Sequence, residues 1–311
     1  MIRSAALPAL LTSLLLAAPA AAKESCPTPV QPPTNEQMGE MMKTAKDRGA
    51  LWTITKDGNT SYLYGTIHIG RMEWAFPGPK LMAALMSTGA LAVEVDVTAP
   101  TARQEMMAAA PQITLTDTDR NRLAKLAEAE CLPPGALDAL HPIMQAISYS
   151  SLIGRRDGLY ADYAQELMLM GFAKAANRPI ISLESMGLQM DVLLPDDAAT
   201  ARTAFNESLD ELEAPDARST IVHTAGAWER GDLEAMDTIE EACQCQPTAQ
   251  QREFYLALND GRNPGLARRI AEEHAKGVPV LAAVGFLHMT GDKAIPKLLA
   301  EMGFEVTRVA Y

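Results

Sequence analysis

Four side chains in this sequence have the type and placement to do chemistry: His68, Glu94, Glu184 and His288. His68 lies in SYLYGTIHIG, residues 61–70, and His288 in PVLAAVGFLHMTG, residues 279–291. Each stretch is a short apolar run, then Gly, two residues and His, so Gly65 matches Gly285 and His68 matches His288. Glu94 sits in LAVEVD, and Glu184 directly follows RPIISL. Two imidazoles and one carboxylate, here His68, His288 and Glu94, are a common ligand set for a divalent metal ion with an open position. Such an ion lowers the pKa of its bound water and supplies a nucleophile near neutral pH. Glu184 is then the spare carboxylate that takes the proton. Arg262, in LNDGRN, either caps a helix or holds the negative charge that develops on the substrate oxygen.

These residues need a scaffold that gathers them. An apolar run bounded by Gly reads as a buried strand. The Gly lets the backbone turn and stay bare where another group approaches. A His just past a strand end sits where open α/β sheets bind ligands. If the four strands run parallel, all four side chains meet at one sheet edge. A carboxylate ending an apolar strand is costly to bury unless it is paired or bound to metal, which favours a site role for Glu94 over an exposed strand end or a plain partner for an Arg. No HExxH helix, P-loop, GxSxG elbow or GxGxxG after a strand is present, so those chemistries have no support.

The remaining pattern predicts an α/β domain. Leu51 to Thr55 and Ser61 to Ile67 flank Lys56-Asp57-Gly58-Asn59 and read as a hairpin. Helices are expected at Glu36 to Asp47, at Pro79 to Met86, through most of Thr101 to Met170, and over Asp196 to Glu213 and Asp216 to Glu229. The last core strand is Val278 to Val284, and Phe304 to Val309 closes as an edge strand. The 17 methionines fall largely in helical stripes and read as core filler. His141 precedes Pro142 and reads as structural, His223 as a surface or packing residue, and His274, flanked by charges, as exposed.

The first 22 residues carry one Arg, a short leucine-rich centre and Ala20-Ala21-Ala22, the pattern of a signal peptide cleaved near Ala22. The apolar centre is shorter than a membrane span needs. Residues 23–50 then form a Pro-rich arm and a short helix, and residues 51–311 a single domain. A periplasmic or secreted protein without stable membrane insertion is expected. The net charge of −12 makes nucleic acid a poor partner. Cys26, Cys131, Cys243 and Cys245 are an even number of cysteines, and an oxidising compartment would join them in two disulfides. A Cys243–Cys245 ring is very tight, so each is expected to pair with a distant partner, Cys26 or Cys131. A zinc site at the CQC pair is the rival, without a His nearby in sequence.

The pieces YLYGTIHIG, LAVEVD, RPIISLESMGLQ, AWERGD, GRN and PVLAAVGFLHMTG followed by GFEVTRV together resemble the TraB/GumN family, whose animal members include the TIKI proteases. The likeness runs from Leu51 to Val309 in motif order. It implies an erythromycin-esterase/ChaN-like fold: a central, mostly parallel sheet flanked by helices, with a helical insertion. It also implies a metal-dependent hydrolase, a peptidase using Mn, Co, Zn or a similar ion on a peptide or small-molecule substrate. The family's two GxxH histidines fall on His68 and His288, and its early acidic residue on Glu94. Its LE…Q segment falls on Glu184 and Gln189, and its RN on Arg262 and Asn263. Gln189, Asn263 and Glu166 are implied as substrate contacts. Two departures stand out. Pro264-Gly265-Leu266 follows RN where an aromatic residue is common, and Glu166 stands where Asp is usual. The competing reading is a binding protein on the same fold, holding a peptide, haem or metal without turnover. A purely structural role for both histidines is the third.

Overall fold

The computed structural model describes residues 25–107, 113–238 and 248–311. The expected signal peptide and the Cys243–Cys245 turn lie outside these residues. Among the described residues six strands form one sheet: β1 (Ala50–Lys56), β2 (Asn59–Thr66), β3 (Ala90–Val93), β4 (Ile180–Ser182), β5 (Val280–Gly285) and β6 (Glu305–Arg308), in the order β4-β3-β5-β2-β1-β6. The four strands β4, β3, β5 and β2 are mutually parallel. β1 and β6 add antiparallel at the far edge. The hairpin forms because Asp57 and Gly58 both take positive φ, 52° and 78°, which suits the twist of its flanking strands. The hairpin therefore turns β2 parallel to β5, and both GxxH motifs leave the sheet at the same edge.

Among the described residues two apolar cores hold the fold. The first packs the sheet against its covering helices, with Leu63, Leu91, Leu281 and Val284 fully buried. The second lies in a helical lobe made of Ala102–Met107, Asp117–Ala129, Pro142–Leu152, Met186–Leu193 and Ala198–Glu213. Phe205, Leu209 and Ile143 anchor that lobe. Most of the lobe is the insertion between β3 and β4. Chain connectivity thus sets Glu94, at the end of β3, and Glu184, just past β4, between the two cores.

Two expectations are corrected here. His274 is buried rather than exposed: its Nδ1 lies 2.9 Å from the Ser61 hydroxyl and its Nε2 3.1 Å from the Lys56 carbonyl. Its ring also packs edge-on against Phe304. The disulfide joins Cys26 to Cys131, so neither is available to Cys243 or Cys245. The arm places Cys26 there because the Tyr160 hydroxyl donates to Thr28 O at 2.7 Å and Arg156 Nε to Ser25 O at 3.3 Å. His223 is exposed and His141 is a buried helix N-cap, both as read from the sequence. No helix among the described residues is long and apolar enough to cross a membrane.

Candidate functional site

The two motif glycines are there because other groups come too close for a side chain. A Cβ on Gly65 would fall 2.5 Å from the ring of Phe286, the residue after the second motif's Gly. A Cβ on Gly285 would fall 3.2 Å from a Glu94 carboxylate oxygen. The first contact packs one motif on the other, and the second lets Glu94 reach the backbone. The Gly285 N–H donates to Glu94 Oε1 at 2.7 Å. The Trp228 indole donates to Gly65 O at 2.9 Å and pins the end of β2.

Beyond the glycines the two segments part. After β5 the chain enters a 3-10 turn, Phe286–Met289, which folds His288 back under the sheet edge. The ring is buried, and its Nδ1 meets Asn263 Oδ1 at 2.5 Å. Asn263 Nδ2 donates to Lys293 O at 2.9 Å, which fixes the amide's orientation. Nδ1 of His288 must therefore carry the hydrogen, and Nε2 presents its lone pair. That lone pair lies 3.7 Å from Glu94 Oε1. Burial lowers the His288 pKa to about 4 even though Glu94 pulls it upward, so the ring is neutral at pH 7.

After β2 the chain bends outward instead. The His68 side chain is 73% exposed, and its Nδ1 lies 3.0 Å from Glu166 Oε1. The Glu166 charge raises His68 to about 9. Glu166 itself is held below the usual carboxylate range. Burial opposes that, and His68 and the Thr66 hydroxyl outweigh it. The segment carrying Glu166 is tied to the His68 loop by Gln165 N–H to Ile67 O at 3.0 Å and by a paired bridge between Gly70 and Tyr160.

Between the histidines lies a buried polar network. Arg262 grips Glu184 through Nε, at 3.2 Å, and through Nη2, and the same Nη2 reaches Glu94. Gln189 donates to Glu184 at 2.9 Å and to Glu94 at 3.3 Å. The Arg262, Glu94 and Glu184 side chains are each at most 10% exposed. Burial pushes the Glu94 pKa up, but His288, Arg262, His68 and the Gly285 N–H together hold it at about 2. Ionised carboxylates in such a place need cations, and Arg262 supplies one.

Glu94, Glu184 and His288 therefore come to one rim with Arg262 and Gln189, while the His68 ring turns to Glu166. Glu166 and Asn263, implied by the resemblance as substrate contacts, each engage a histidine ring. Asn263 is fully buried, its amide engaged by His288 and Lys293, and Glu166 is turned onto His68. Thr66 was missed by sequence reasoning. Its position inside the GTIH tetrad, after an apolar run, is the only sequence signal for it. Among the described residues no three His, Cys, Asp or Glu side chains gather into a metal-binding group. The geometry supplies the reason: His68 is drawn to Glu166, and Arg262 spans the two central glutamates.

Against known proteins, the sequence model of the TraB/PrgY/gumN family matches residues 50–308. The chain belongs to the TraB/PrgY/gumN family. It is 30% identical over 261 residues to the uncharacterized protein YbaP of Shigella flexneri, covering 79% of this chain and 90% of YbaP. No solved structure matches it. The matched span of this TraB/PrgY/gumN-family chain holds both GxxH motifs, Glu94, Glu184 and Arg262, so the site lies wholly within the family domain.

Proposed function

We propose that this chain is an exported, metal-dependent hydrolase acting on a peptide or small-molecule substrate. The observation that carries the reading is the facing pair of acceptors at the buried end of the site. The His288 lone pair and Glu94 Oε1 lie 3.7 Å apart. Each is held in place from behind, by Asn263 and by the Gly285 N–H. Two such acceptors repel unless a cation stands between them, and a nitrogen–oxygen pair suits Zn, Co or Mn. Each histidine has one ring nitrogen taken by an orienting partner, leaving the other as a donor, as ligating histidines are usually supported. His68, which keeps both ring protons at pH 7 beside Glu166, would complete the ligand set by giving up its Nε2 proton to solvent and turning that nitrogen inward. A divalent ion held there would supply a water acidic enough to attack a carbonyl near neutral pH.

The chain's own side chains divide the remaining work. Glu166 and Asn263 fix the two rings. Arg262 brings positive charge to the oxygen on which negative charge develops, and Gln189 keeps Glu94 and Glu184 together. Export rests on the N-terminal signal pattern and on the Cys26–Cys131 disulfide.

One observation favours the second reading, a binding protein without turnover. Hydrolysis needs a carboxylate free to take a proton, and Glu184 is held by Arg262 and Gln189. A peptide library incubated with Mn, Co or Zn decides between the two. Cleavage by the native chain and none by His68→Ala is expected. Retained peptide binding with no product in any of the three metals would replace the hydrolase by the binder.

A further inference from the structure

Arg262 stands where a second cation has to act. Its guanidinium is 8% exposed. It contacts Glu94 Oε2 and both oxygens of Glu184, and it donates to Leu258 O at 3.2 Å. The other oxygen of the same Glu94 carboxylate faces the His288 lone pair. A divalent ion bound at that oxygen would share one carboxylate with a guanidinium. At this burial the repulsion between the two cations is little screened. Arg262 sits in the N-cap position of the helix Asn263–His274, at the junction of a loop and a helix.

We propose that Arg262 is a tethered cation that competes with a divalent ion for Glu94 and Glu184, so that it weakens metal binding and must loosen its hold on Glu94 for an ion to enter. This rests on the metal reading above and adds a sign to it. If Arg262 only oriented Glu94 as a ligand, its removal would weaken metal binding. If it competes, its removal tightens binding. Coupling of this kind is reciprocal, so a bound ion also loosens Arg262.

The test is titration of the chelator-treated native protein, Arg262→Gln and Arg262→Lys with MnCl2 and CoCl2. Heat of binding and the visible absorption of Co are the readouts, and circular dichroism checks the fold. Arg262→Gln removes the charge and is expected to tighten binding by about tenfold or more. Arg262→Lys keeps the charge but loses the planar fork, and roughly two- to fivefold is expected. It also serves where Arg262→Gln does not fold without metal, a failure rescued by added ion being a further sign in favour. Equal or weaker binding in both folded variants would overturn the competition and leave the metal reading standing. No binding by any of the three proteins would overturn both.

Discussion

The two GxxH segments share a spacing and leave the same sheet edge side by side, yet they produce opposite histidines. His288 is buried, neutral and backed by an amide. His68 is open to solvent, cationic and backed by a carboxylate. The difference begins with one turn of backbone. Phe286–Met289 coils into a 3-10 turn that carries His288 inward, while Ile67 to Ile69 bend outward toward Glu166. It is completed by the partner each ring meets, Asn263 or Glu166. Identical sequence spacing therefore specifies where a histidine leaves the sheet but not its charge. A rim built this way holds one fixed, neutral imidazole deep inside and one cationic imidazole open to solvent.

The largest expected effect lies in stability. His288→Ala removes a buried ring and leaves the Asn263 oxygen unpaired, and should cost about 3 kcal/mol. His68→Ala removes an exposed ring from a screened pair and should cost less than about 1 kcal/mol. Urea unfolding in the presence of a chelator measures both. Equal losses would mean that the contrast in burial is not what separates the two.

The glycines sharpen the comparison next. Gly65→Ala drives a methyl group into the Phe286 ring and should cost about 2 kcal/mol. Gly285→Ala meets the end of the Glu94 side chain at 3.2 Å and the His288 ring at 3.4 Å, and should cost roughly 1 kcal/mol. The order of the two melting temperatures is the check. The reverse order would mean that Glu94 is held more rigidly than Phe286.

The smallest effect is the most direct probe of charge. In chelator, the His68 ring should titrate near 9 and the His288 ring near 4 by NMR. The stability consequences have opposite signs. His68, raised above its unfolded value, contributes stability below about 6.5 that is lost as pH rises through 9. His288, lowered, contributes stability above about 6.5 that is lost as pH falls toward 4. Exchanging the partners tests the cause. Glu166→Gln should bring His68 back toward an ordinary imidazole value, and Asn263→Asp should raise His288. An unmoved His68 would mean that Glu166 is not what raises it, and an unmoved His288 would assign its lowering to burial alone.

Much of this was legible in one dimension. Alternating and apolar runs mark strands through period and composition, and the KDGN turn marks the hairpin through its demand for positive φ. The parallel set and its shared edge were a condition of that reading, and the fold meets it. Less legible were the contacts between side chains far apart in sequence. The resemblance implied Glu166 and Asn263 as substrate contacts, and sequence alone does not show that each meets a histidine ring. His274 read as exposed because its neighbours are charged, whereas its helix turns that one position toward Ser61.

The sequence by itself determined which residues leave the sheet edge, since strand period and glycine placement are local properties. Only the tertiary structure decided their charge, their partners and the hold of Arg262 on both glutamates. Those depend on burial and on distances between segments far apart in sequence, such as Glu94 and Gly285, 191 residues apart. Local propensity carries no record of such distances.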